Sequence, residues 1–391
     1  MAHIGGMPRA QQLLNGRFAR GCTGIPRLLV ATIAIVGALL STTAASSDAQ
    51  EQVKSRATLP ANVPLWAYGY KARPVTYVDF QAKCATGKPV DCIRGTGPAA
   101  SDKLDVPQVL QGSTHTFTLP EIWDYFGPAD WFPEDHPPMP DIVAHGRREE
   151  GVPACAICHL PNGKGLMQNG AVIGLPADYI VQQLRDFKAG RRQSTDSNKS
   201  NAFAMMAIAR RLTDEDMRVA AAYFSVIRPR QWMHVVESDV VPRFDASING
   251  LFSKAEGSEM EPLGRRLIEM PELTYETVKL RDPHATYVAY VPAGSLAAGA
   301  RLVTAGNASS GAAITGNHTI ACGTCHGNDL RGTTLGPPIA GRSPSYLARQ
   351  LFDFKTGARA GDKAALMVPA VRNLTEDDLI AIVAYVASLP P

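Results

Sequence analysis

Apolar and polar residues follow a helical period in two parts of the chain, and the two parts match each other. The matched stretches are "GLPADYIVQQLRDFKAGRR" at 174–192 with "GRSPSYLARQLFDFKTGAR" at 341–359, and "MMAIARRLTDEDMRVAAAYFSVI" at 205–227 with "MVPAVRNLTEDDLIAIVAYVASL" at 367–389. The pattern indicates an internal duplication of a mainly helical unit of roughly 85–100 residues. A unit of that length has a small core of its own, so a bound cofactor would help to fill it.

Polar residues between the apolar runs predict where these helices begin and end. Thr213 and Thr375 each precede three acidic residues, which is the pattern of a helix N-cap followed by a negatively charged first turn. An earlier helix in each unit is predicted to begin at a tyrosine and to end near a glycine, over 179–190 and 346–357.

A further helix is predicted at the start of each unit, in "IVAHGRRE" and "LAAGARLVTAG". The small residues Gly146 and Gly299 would let another helix cross closely, namely the one that carries Tyr223 or Tyr385. The alternative is that these glycines break their helices.

The N-terminus carries one continuous apolar run, "LLVATIAIVGALL" at 28–40, after four arginines and before small residues that end in Ala45 or Ala49. This order is typical of an export signal. The run is shorter than the ~20 residues that cross a bilayer, and a retained single-span anchor is the alternative. We therefore expect a periplasmic protein that is membrane-anchored if the signal is retained.

The whole pattern predicts a mainly α protein of five segments. They are an export signal (1–49), an irregular arm rich in aromatic residues and proline (50–140), a first helical domain (141–228), a connector (229–293) and a second helical domain (294–391). In the connector, β-branched and aromatic runs bounded by proline predict short strands. The arm and the connector either pack around the two domains or form a docking surface for another protein.

Composition and charge limit the possible partners. The 391 residues are 45% hydrophobic and 19% charged, as in a globular protein. Removal of residues 1–49 takes away four of the 39 Lys and Arg residues and one of the 36 Asp and Glu residues, which leaves no formal net charge. No nucleic-acid partner is therefore expected, because phosphate binding needs a positive surface.

Six cysteines remain after removal of the signal, and two of them flank a short turn-rich loop. Cys84 and Cys92 stand on either side of "ATGKPVD", so their side chains can meet. In an oxidising compartment we predict a disulfide between them, with two unpaired buried thiols as the alternative.

The other four cysteines form two pentapeptides of identical spacing, "CAICH" and "CGTCH". A shared zinc site would draw its pairs from neighbouring hairpins, and a thioredoxin-like site would need a preceding buried strand; neither context is present. Residues three apart lie on one turn of helix, so both thiols can bond one porphyrin while the adjacent histidine binds its iron. We therefore predict two covalently bound haem c groups, held by Cys155, Cys158 and His159 and by Cys322, Cys325 and His326.

The motifs and the repeats around them resemble class I c-type cytochromes, specifically two-haem members similar to cytochrome c4. The resemblance covers a little under half of the chain, residues 141–228 and 294–391. It implies two tandem cytochrome c domains in which a methionine is the second axial ligand of each iron. The matching positions are Met205 and Met367, each seven residues before the "LT" that leads into the last helix.

The sequence identifies one of these two methionine ligands more clearly than the other. After His326 the chain contains no other histidine, no cysteine and one methionine, Met367. The first domain offers both Met205 and Met206, and consecutive side chains cannot both point at one iron. The repeat alignment favours Met205.

The resemblance also matches Pro337 with a proline whose carbonyl holds the iron-bound histidine. The equivalent residue in the first domain is Gly170. Because that bond orients the imidazole, we expect the first haem to be held less rigidly or by another carbonyl, and the two haems to have distinct reduction potentials.

Ligation by histidine and methionine leaves no open position at the iron, so we interpret the chain as an exported dihaem electron carrier without catalytic residues. The expected donor is a dehydrogenase or a quinol-oxidising complex, and the expected acceptor is a cytochrome or an oxidase. Two alternatives remain: a cytochrome subunit of a membrane-associated dehydrogenase, and a haem enzyme with one open iron. His136, His234 and His318 are expected to be surface or packing residues.

Overall fold

The computed structural model describes residues 59–75, 78–93, 97–246, 250–306 and 319–391. The predicted export signal and His318 lie outside these ranges. The described residues all belong to one unit that runs from Arg56 to Pro391. None of the helices in these ranges combines the length and the apolar character that a bilayer span requires.

The arm consists of short elements separated by turns. They are 3-10 helices at Leu65–Tyr68 and Pro133–Asp135, the helices α1 (Phe80–Lys83), α2 (Pro89–Cys92) and α3 (Leu119–Ile122), and the hairpin of β1 (Gln108–Val109) and β2 (Thr116–Phe117). Its aromatic side chains reach the second repeat: Trp66 donates a hydrogen bond to Glu376 at 2.8 Å, and Tyr68 donates one to Asp353 at 3.0 Å. The arm is thus part of the folded body.

Cys84 and Cys92 are free thiols in the structure, so the predicted disulfide is wrong here and the alternative of two buried thiols holds. Their exposed fractions are 2% and 1%. They lie in a small apolar cluster, which we call the arm cluster, with Phe80, Phe203 and Met206. Burial and a hydrogen bond between the two thiols raise the pKa of Cys84. The loop brings the side chains together as expected, but the contact is a hydrogen bond and not a covalent bond.

The first repeat contains five helices. They are α4 (Asp141–Ala144), α5 (Cys155–His159), α6 (Ala177–Lys188), α7 (Ser200–Arg211) and α8 (Asp214–Ser225). Thr213 caps α8 as predicted: its hydroxyl accepts from the Asp216 amide at 3.1 Å, and the Asp216 carboxylate accepts from the Thr213 amide at 2.7 Å. This reciprocal capping box satisfies two amides that the helix itself leaves unpaired.

The connector contains short strands and one short helix. They are β3 (Met233–Glu237), β4 (Val240–Pro242), β5 (Phe244–Ala246), β6 (Phe252–Lys254), β7 (Met260–Pro262), β8 (Ile268–Pro271), α9 (Thr274–Val278) and β9 (Tyr287–Val291). The strand β9 is central, with β3 parallel on one side and β8 antiparallel on the other. The pairs β4–β7 and β5–β6 are antiparallel.

The second repeat contains the counterparts of the first. They are α10 (Ser295–Ala305), α11 (Gly323–His326), α12 (Pro344–Lys355), a 3-10 helix at Ala364–Leu366, α13 (Val368–Val371) and α14 (Glu376–Ser388). Thr375 and Asp378 form the same capping box at the start of α14, with distances of 3.2 and 2.8 Å. The helices predicted from the repeat pattern are therefore present in both halves.

Gly299 allows α10 and α14 to cross in close contact, as predicted. A Cβ atom on Gly299 would lie 2.0 Å from the carbonyl oxygen of Ala381 and 2.7 Å from the Cβ of Tyr385. Any side chain at this position would therefore push the two helices apart.

Gly146 has a different role, and the close crossing predicted there is wrong. The helix α4 ends at Ala144, and Gly146 adopts a φ of 61° in the turn that follows. A Cβ atom there would lie 2.3 Å from the carbonyl oxygen of Val152. The alternative holds at this position: the glycine ends the helix, because a left-handed conformation is open to it.

One hydrophobic cluster, which we call the main cluster, runs through both repeats and the connector. Its members include Phe224 of the first repeat, Leu267 of the connector and Val383 of the second repeat. A smaller cluster joins the arm to the connector through Trp131 and Leu280. The predicted segment boundaries remain predictions, but the segments share their cores.

Gly299→Ala should destabilise the fold. The added methyl group must displace the backbone of α14, and overpacking of this kind costs about 1–3 kcal/mol. Urea unfolding measures the loss. Gly97→Ala is the matched control, because a Cβ there meets no atom within 4 Å. Equal stability of the two variants would contradict the close crossing.

Candidate functional site

The first cysteine pair and its histidine lie on one helical turn. The helix α5 contains Cys155, Cys158 and His159, and the chain leaves it at Leu160 with a φ of 65°. Since the cysteines are three residues apart, both thiols lie on the same side of the turn. The Sγ atom of Cys155 lies 3.3 Å from the carbonyl oxygen of Ile142 in α4.

The second cysteine pair has the same local backbone. Cys322 precedes α11 with helical dihedral angles, φ −63° and ψ −33°, and α11 contains Cys325 and His326. The amide of Cys322 donates to the carbonyl of Val303 in α10 at 2.8 Å. Each motif therefore lies against the first helix of its own repeat.

A backbone carbonyl orients each histidine. The Nδ1 atom of His159 lies 2.8 Å from the carbonyl oxygen of Gly170, and that of His326 lies 2.8 Å from the carbonyl oxygen of Pro337. A ring that donates from Nδ1 keeps its lone pair at Nε2, which is then free to bind a metal. Burial lowers the pKa of both histidines, which favours the neutral ring that metal binding needs.

Gly170 forms the hydrogen bond to His159, although the matching position in the second repeat is the proline Pro337. Its own carbonyl accepts at the same distance as that of Pro337, so neither a longer bond nor another carbonyl is found. Tyr346 of the second repeat lies against this glycine, 3.2 Å from the position that a Cβ atom would take. A neighbouring side chain thus restrains Gly170 where the ring of a proline would have done so.

Burial favours the protonated form of three of the four thiols, those of Cys155, Cys158 and Cys322. Burial raises the pKa of Cys155 to about 12 and that of Cys322 to about 11, and it also raises the pKa of Cys158. Zinc is bound by thiolates. Within the described ranges, no group of three or more His, Cys, Asp or Glu side chains is arranged to hold a metal ion. The zinc alternative therefore has no support in this part of the chain.

Met205 and Met206 contact different clusters. Met205 is partly buried and packs against the main cluster, as Cys155 does. Met206 is buried in the arm cluster beside Phe80. Consecutive residues of a helix point in different directions, and here Met205 borders the cluster that Cys155 also borders, while Met206 lies in the other cluster.

Met367 lies between the 3-10 helix at Ala364–Leu366 and α13. It is partly buried and packs against the main cluster, as Cys322 does. Its neighbours Leu366 and Val368 are 59% and 44% exposed. Met367 thus borders the main cluster as Met205 does, but its neighbours in sequence are exposed to solvent.

A reciprocal arginine network joins the two repeats, and the sequence analysis did not predict it. Each arginine donates to a tyrosine and a glutamine of the other repeat: Arg192 to Tyr346 at 2.9 Å and Gln350 at 3.1 Å, and Arg359 to Tyr179 and Gln183, both at 2.7 Å. These residues occupy matching positions of the aligned segments, so the repeat itself was the available signal.

The main chain repeats this two-fold pattern. The amide of Gln193 donates to the carbonyl of Ala358 at 2.9 Å, and the amide of Ala360 donates to the carbonyl of Arg191 at 2.7 Å. Such mutual pairing of equivalent residues is the pattern of a two-fold symmetric interface. Besides burial, Arg192 and Arg359 each lower the pKa of the histidine in their own repeat. The interface therefore lies close to both sites.

A single buried arginine connects the two loops that hold the histidines. Arg342 is 6% exposed. It donates to the carbonyls of Ala171 at 2.8 Å and Ile173 at 3.2 Å in the first repeat, and to Pro338 at 2.8 Å in the second. Ala171 and Pro338 each follow directly the residue whose carbonyl binds the histidine. The orientation of both imidazoles thus depends on one guanidinium group.

The connector covers the first cysteine–histidine turn. We call residues 279–285 the capping loop, because hydrogen bonds join it to the turn and to the residues that follow the turn. Arg281 of the loop donates to the carbonyl of Ile157. Asn162 donates to the carbonyl of Pro283 at 3.1 Å, and Lys164 donates to that of Ala285. Lys164 is 5% exposed and lies 5.3 Å from the ring centroid of Tyr287. The loop thus shields this site from water.

The other described histidines are packing or surface residues, as expected. The Nε2 atom of His136 lies 3.2 Å from Asp130, and its ring packs edge-on against Tyr223 at 5.9 Å. His234 is exposed and lies 3.1 Å from Glu272.

The donor set fits a covalently held haem in each repeat. Each repeat brings together two thiols one helical turn apart, a histidine with a free Nε2 atom and a methionine that borders the same apolar cluster. Glycine is also required beside the second histidine, because a Cβ atom on Gly336 would lie 2.8 Å from the Nδ1 of His326.

Comparison with known proteins shows which protein family the chain is similar to. The family model for cytochrome c matches residues 297–390. Cytochrome c-554(548) of Halomonas halodenitrificans is 37% identical over 68 residues, which are 17% of this chain and 82% of that protein.

Two further relatives match this chain over longer stretches. The thiosulfate dehydrogenase electron acceptor of Stutzerimonas stutzeri (strain A1501) is 25% identical over 251 residues, covering 63% of this chain and 84% of that protein. Cytochrome c4 of Pseudomonas aeruginosa is 33% identical over 93 residues, which are 22% of this chain and 44% of that protein.

Lys164→Met should flatten the pH dependence of stability. Burial lowers the pKa of Lys164 from 10.5 to about 7 in the folded protein. Above that value the unfolded chain binds more protons than the folded one, so this lysine makes stability rise with pH, by up to about 1.4 kcal/mol per pH unit. The variant lacks this contribution.

Urea unfolding at pH 7, 8 and 9 measures the slope for the wild type and the variant. The matched control is Lys188→Met, because Lys188 is exposed and also donates to a backbone carbonyl, that of Leu212 at 2.8 Å. A slope that is the same in the wild type and in Lys164→Met would contradict the prediction.

Proposed function

The chain belongs to the class I c-type cytochromes, and we propose that it is an exported dihaem electron carrier. The observation that carries the proposal is the pair of matching sites. In both repeats two thiols share one turn with a histidine whose Nδ1 is held by a carbonyl at 2.8 Å. One haem per repeat follows from this duplication.

We assign the ligands of each haem to one repeat. The first haem is held by Cys155, Cys158 and His159 with Met205 as second axial ligand, and the second by Cys322, Cys325 and His326 with Met367. When bound, haem iron supplies a one-electron couple whose potential the axial ligands and the surrounding charges adjust.

The residues of the chain hold and shield this couple. When the group is bound, the thiols would tether it, the carbonyl bonds would keep each Nε2 available to the metal, and the methionine sulfur would supply a further ligand. With both axial positions taken, no site for a substrate remains at the iron, which favours electron transfer over catalysis.

Export is part of the proposal. A positively charged start, a short apolar run and small residues precede the arm. We infer that the protein works in the periplasm, anchored to the membrane if the signal is retained.

A second candidate is a cytochrome subunit or direct acceptor of a dehydrogenase. It is favoured by the match to the electron acceptor of thiosulfate dehydrogenase, which extends over 251 residues and so exceeds the length of one repeat. A dehydrogenase that oxidises a sulfur compound is therefore the donor class to test first, with a cytochrome or an oxidase as acceptor.

Purified thiosulfate dehydrogenase with thiosulfate should reduce the oxidised protein, which is followed by the haem absorbance. Omission of thiosulfate is the control. A protein that dithionite reduces, but that the dehydrogenase with its substrate leaves oxidised, would exclude this donor while leaving the carrier function in place.

Met205→Leu should open the first iron, and Met206→Leu should not. Leucine keeps the side-chain volume of methionine but offers no sulfur, so it removes a ligand with little loss of packing. The absorption spectrum of the reduced protein is recorded before and after addition of carbon monoxide. We expect no change in the wild type or in Met206→Leu, and a change in about half of the haem in Met205→Leu.

The opposite results have defined meanings. If only the Met206→Leu variant binds carbon monoxide, then Met206 and not Met205 is the ligand. Binding by half of the wild-type haem would contradict the carrier proposal and favour a haem enzyme with one open iron.

A further inference from the structure

We propose that Arg281, a residue of the connector, raises the reduction potential of the haem held by Cys155, Cys158 and His159. The inference rests on the proposed haem binding and adds a residue outside both repeats to the control of the first haem.

Arg281 lies directly on the first haem-binding turn. Its side chain is 7% exposed and donates to the carbonyl of Ile157, the residue before Cys158. On its other face the guanidinium lies 4.6 Å from the ring centroid of Trp123. The bond to Ile157 places the guanidinium one residue from Cys158, whose sulfur tethers the haem in the proposed function.

The arm and the connector are built to hold Arg281 in this position. The indole of Trp123 donates to the carbonyl of Lys279 at 2.9 Å, and the indole of Trp131 donates to that of Leu280 at 2.7 Å. Arg281 itself has a φ of 58°, in the left-handed region that residues other than glycine rarely adopt. The partly buried Trp123 and the buried Trp131 thus restrain the capping loop in a backbone conformation that directs this side chain at the turn.

The charge of Arg281 has no acidic partner. Burial is the main influence on its pKa, and the groups that oppose burial are Cys158, Tyr125 and Tyr287. Burial raises the pKa of Tyr125 and Tyr287, so both are neutral at physiological pH, and the sulfur of Cys158 carries no charge once it is a thioether. Among the described residues no carboxylate forms an ion pair with Arg281, and a guanidinium does not lose its proton in proteins.

A buried and unpaired positive charge favours the reduced form of a nearby haem. Reduction adds one negative charge, and attraction between opposite charges is weakly screened where water is excluded. Among the described residues, no charged side chain donates to the carbonyl of Thr324, the residue of the second turn that matches Ile157. The two sites therefore share their ligands but differ in local charge.

Spectroelectrochemical titration of the haem-loaded protein tests the proposal. In Arg281→Met the potential of the first haem should fall by at least 59 mV, which is a tenfold change in a one-electron reduction equilibrium. The second potential should stay in place. Arg281→Lys keeps a positive charge and should retain most of the difference, and the exposed Arg243→Gln is the control for charge removal at the surface.

The first haem is identified as the one whose potential moves in Met205→Leu. Two haems per chain and no carbon monoxide binding in Arg281→Met would show that its site is intact. Unchanged potentials in that variant, equal shifts of both haems, or a shift in Arg281→Lys as large as in Arg281→Met would each overturn the role of the charge. A wild-type protein without two titrating haems would overturn the proposed function, and this inference with it.

Discussion

The hydrogen bond between a histidine Nδ1 and a backbone carbonyl is the contact on which the rest of this structure depends. In both repeats the carbonyl comes 11 residues after its histidine, at 2.8 Å. The bond can form only if the chain leaves the haem-binding turn, crosses a loop and returns with its carbonyl directed inward. Tyr346 restrains one of these loops, and Arg342 binds both. The first imidazole is therefore oriented partly by residues of the second repeat, which a free single domain could not supply.

The same donor set lies in two different surroundings. The first turn is covered by the capping loop, and the helix that carries Met205 is covered by the arm cluster. Around the second turn, Leu335 and Leu366 are 58% and 59% exposed. Because the charge and solvent around a haem adjust its potential, a duplicated domain can yield two different redox centres without any change of ligand. The asymmetry comes from the arm and the connector, the two segments that lie outside the repeats.

Local patterns were sufficient to predict the elements that local interactions determine. The capping boxes at Thr213 and Thr375, the paired cysteine–histidine turns and the crossing at Gly299 all follow from residues a few positions apart or from the repeat. The two wrong predictions, the crossing at Gly146 and the disulfide between Cys84 and Cys92, are also local, but neither the backbone conformation nor the oxidation state follows from residue spacing. Gly146 and Gly299 look alike in sequence, and only the third dimension shows that one ends a helix while the other lies under a second helix.

Distant contacts also explain the site residues that sequence could not assign. The role of Gly170 depends on Tyr346, which follows it by more than a hundred residues, and no local pattern marks that pairing. Arg281 lies in a segment without a counterpart in either repeat, so alignment of the repeats could not identify it. The arginines at 192 and 359 were visible as matched positions, but a match does not reveal that each contacts the opposite repeat.

Buried arginines meet two requirements of this fold at once. Arg281, Arg342 and Arg349 are 7%, 6% and 4% exposed, and each donates to backbone carbonyls of a segment distant in the chain. Burial of a charge is costly, but the five donors of a guanidinium can satisfy several carbonyls that loops leave without partners. Irregular segments are thereby joined where no sheet or helix could join them. One of these groups, Arg281, is the residue whose charge we propose to act on the first haem, so a single side chain can both hold a loop in place and adjust a redox centre.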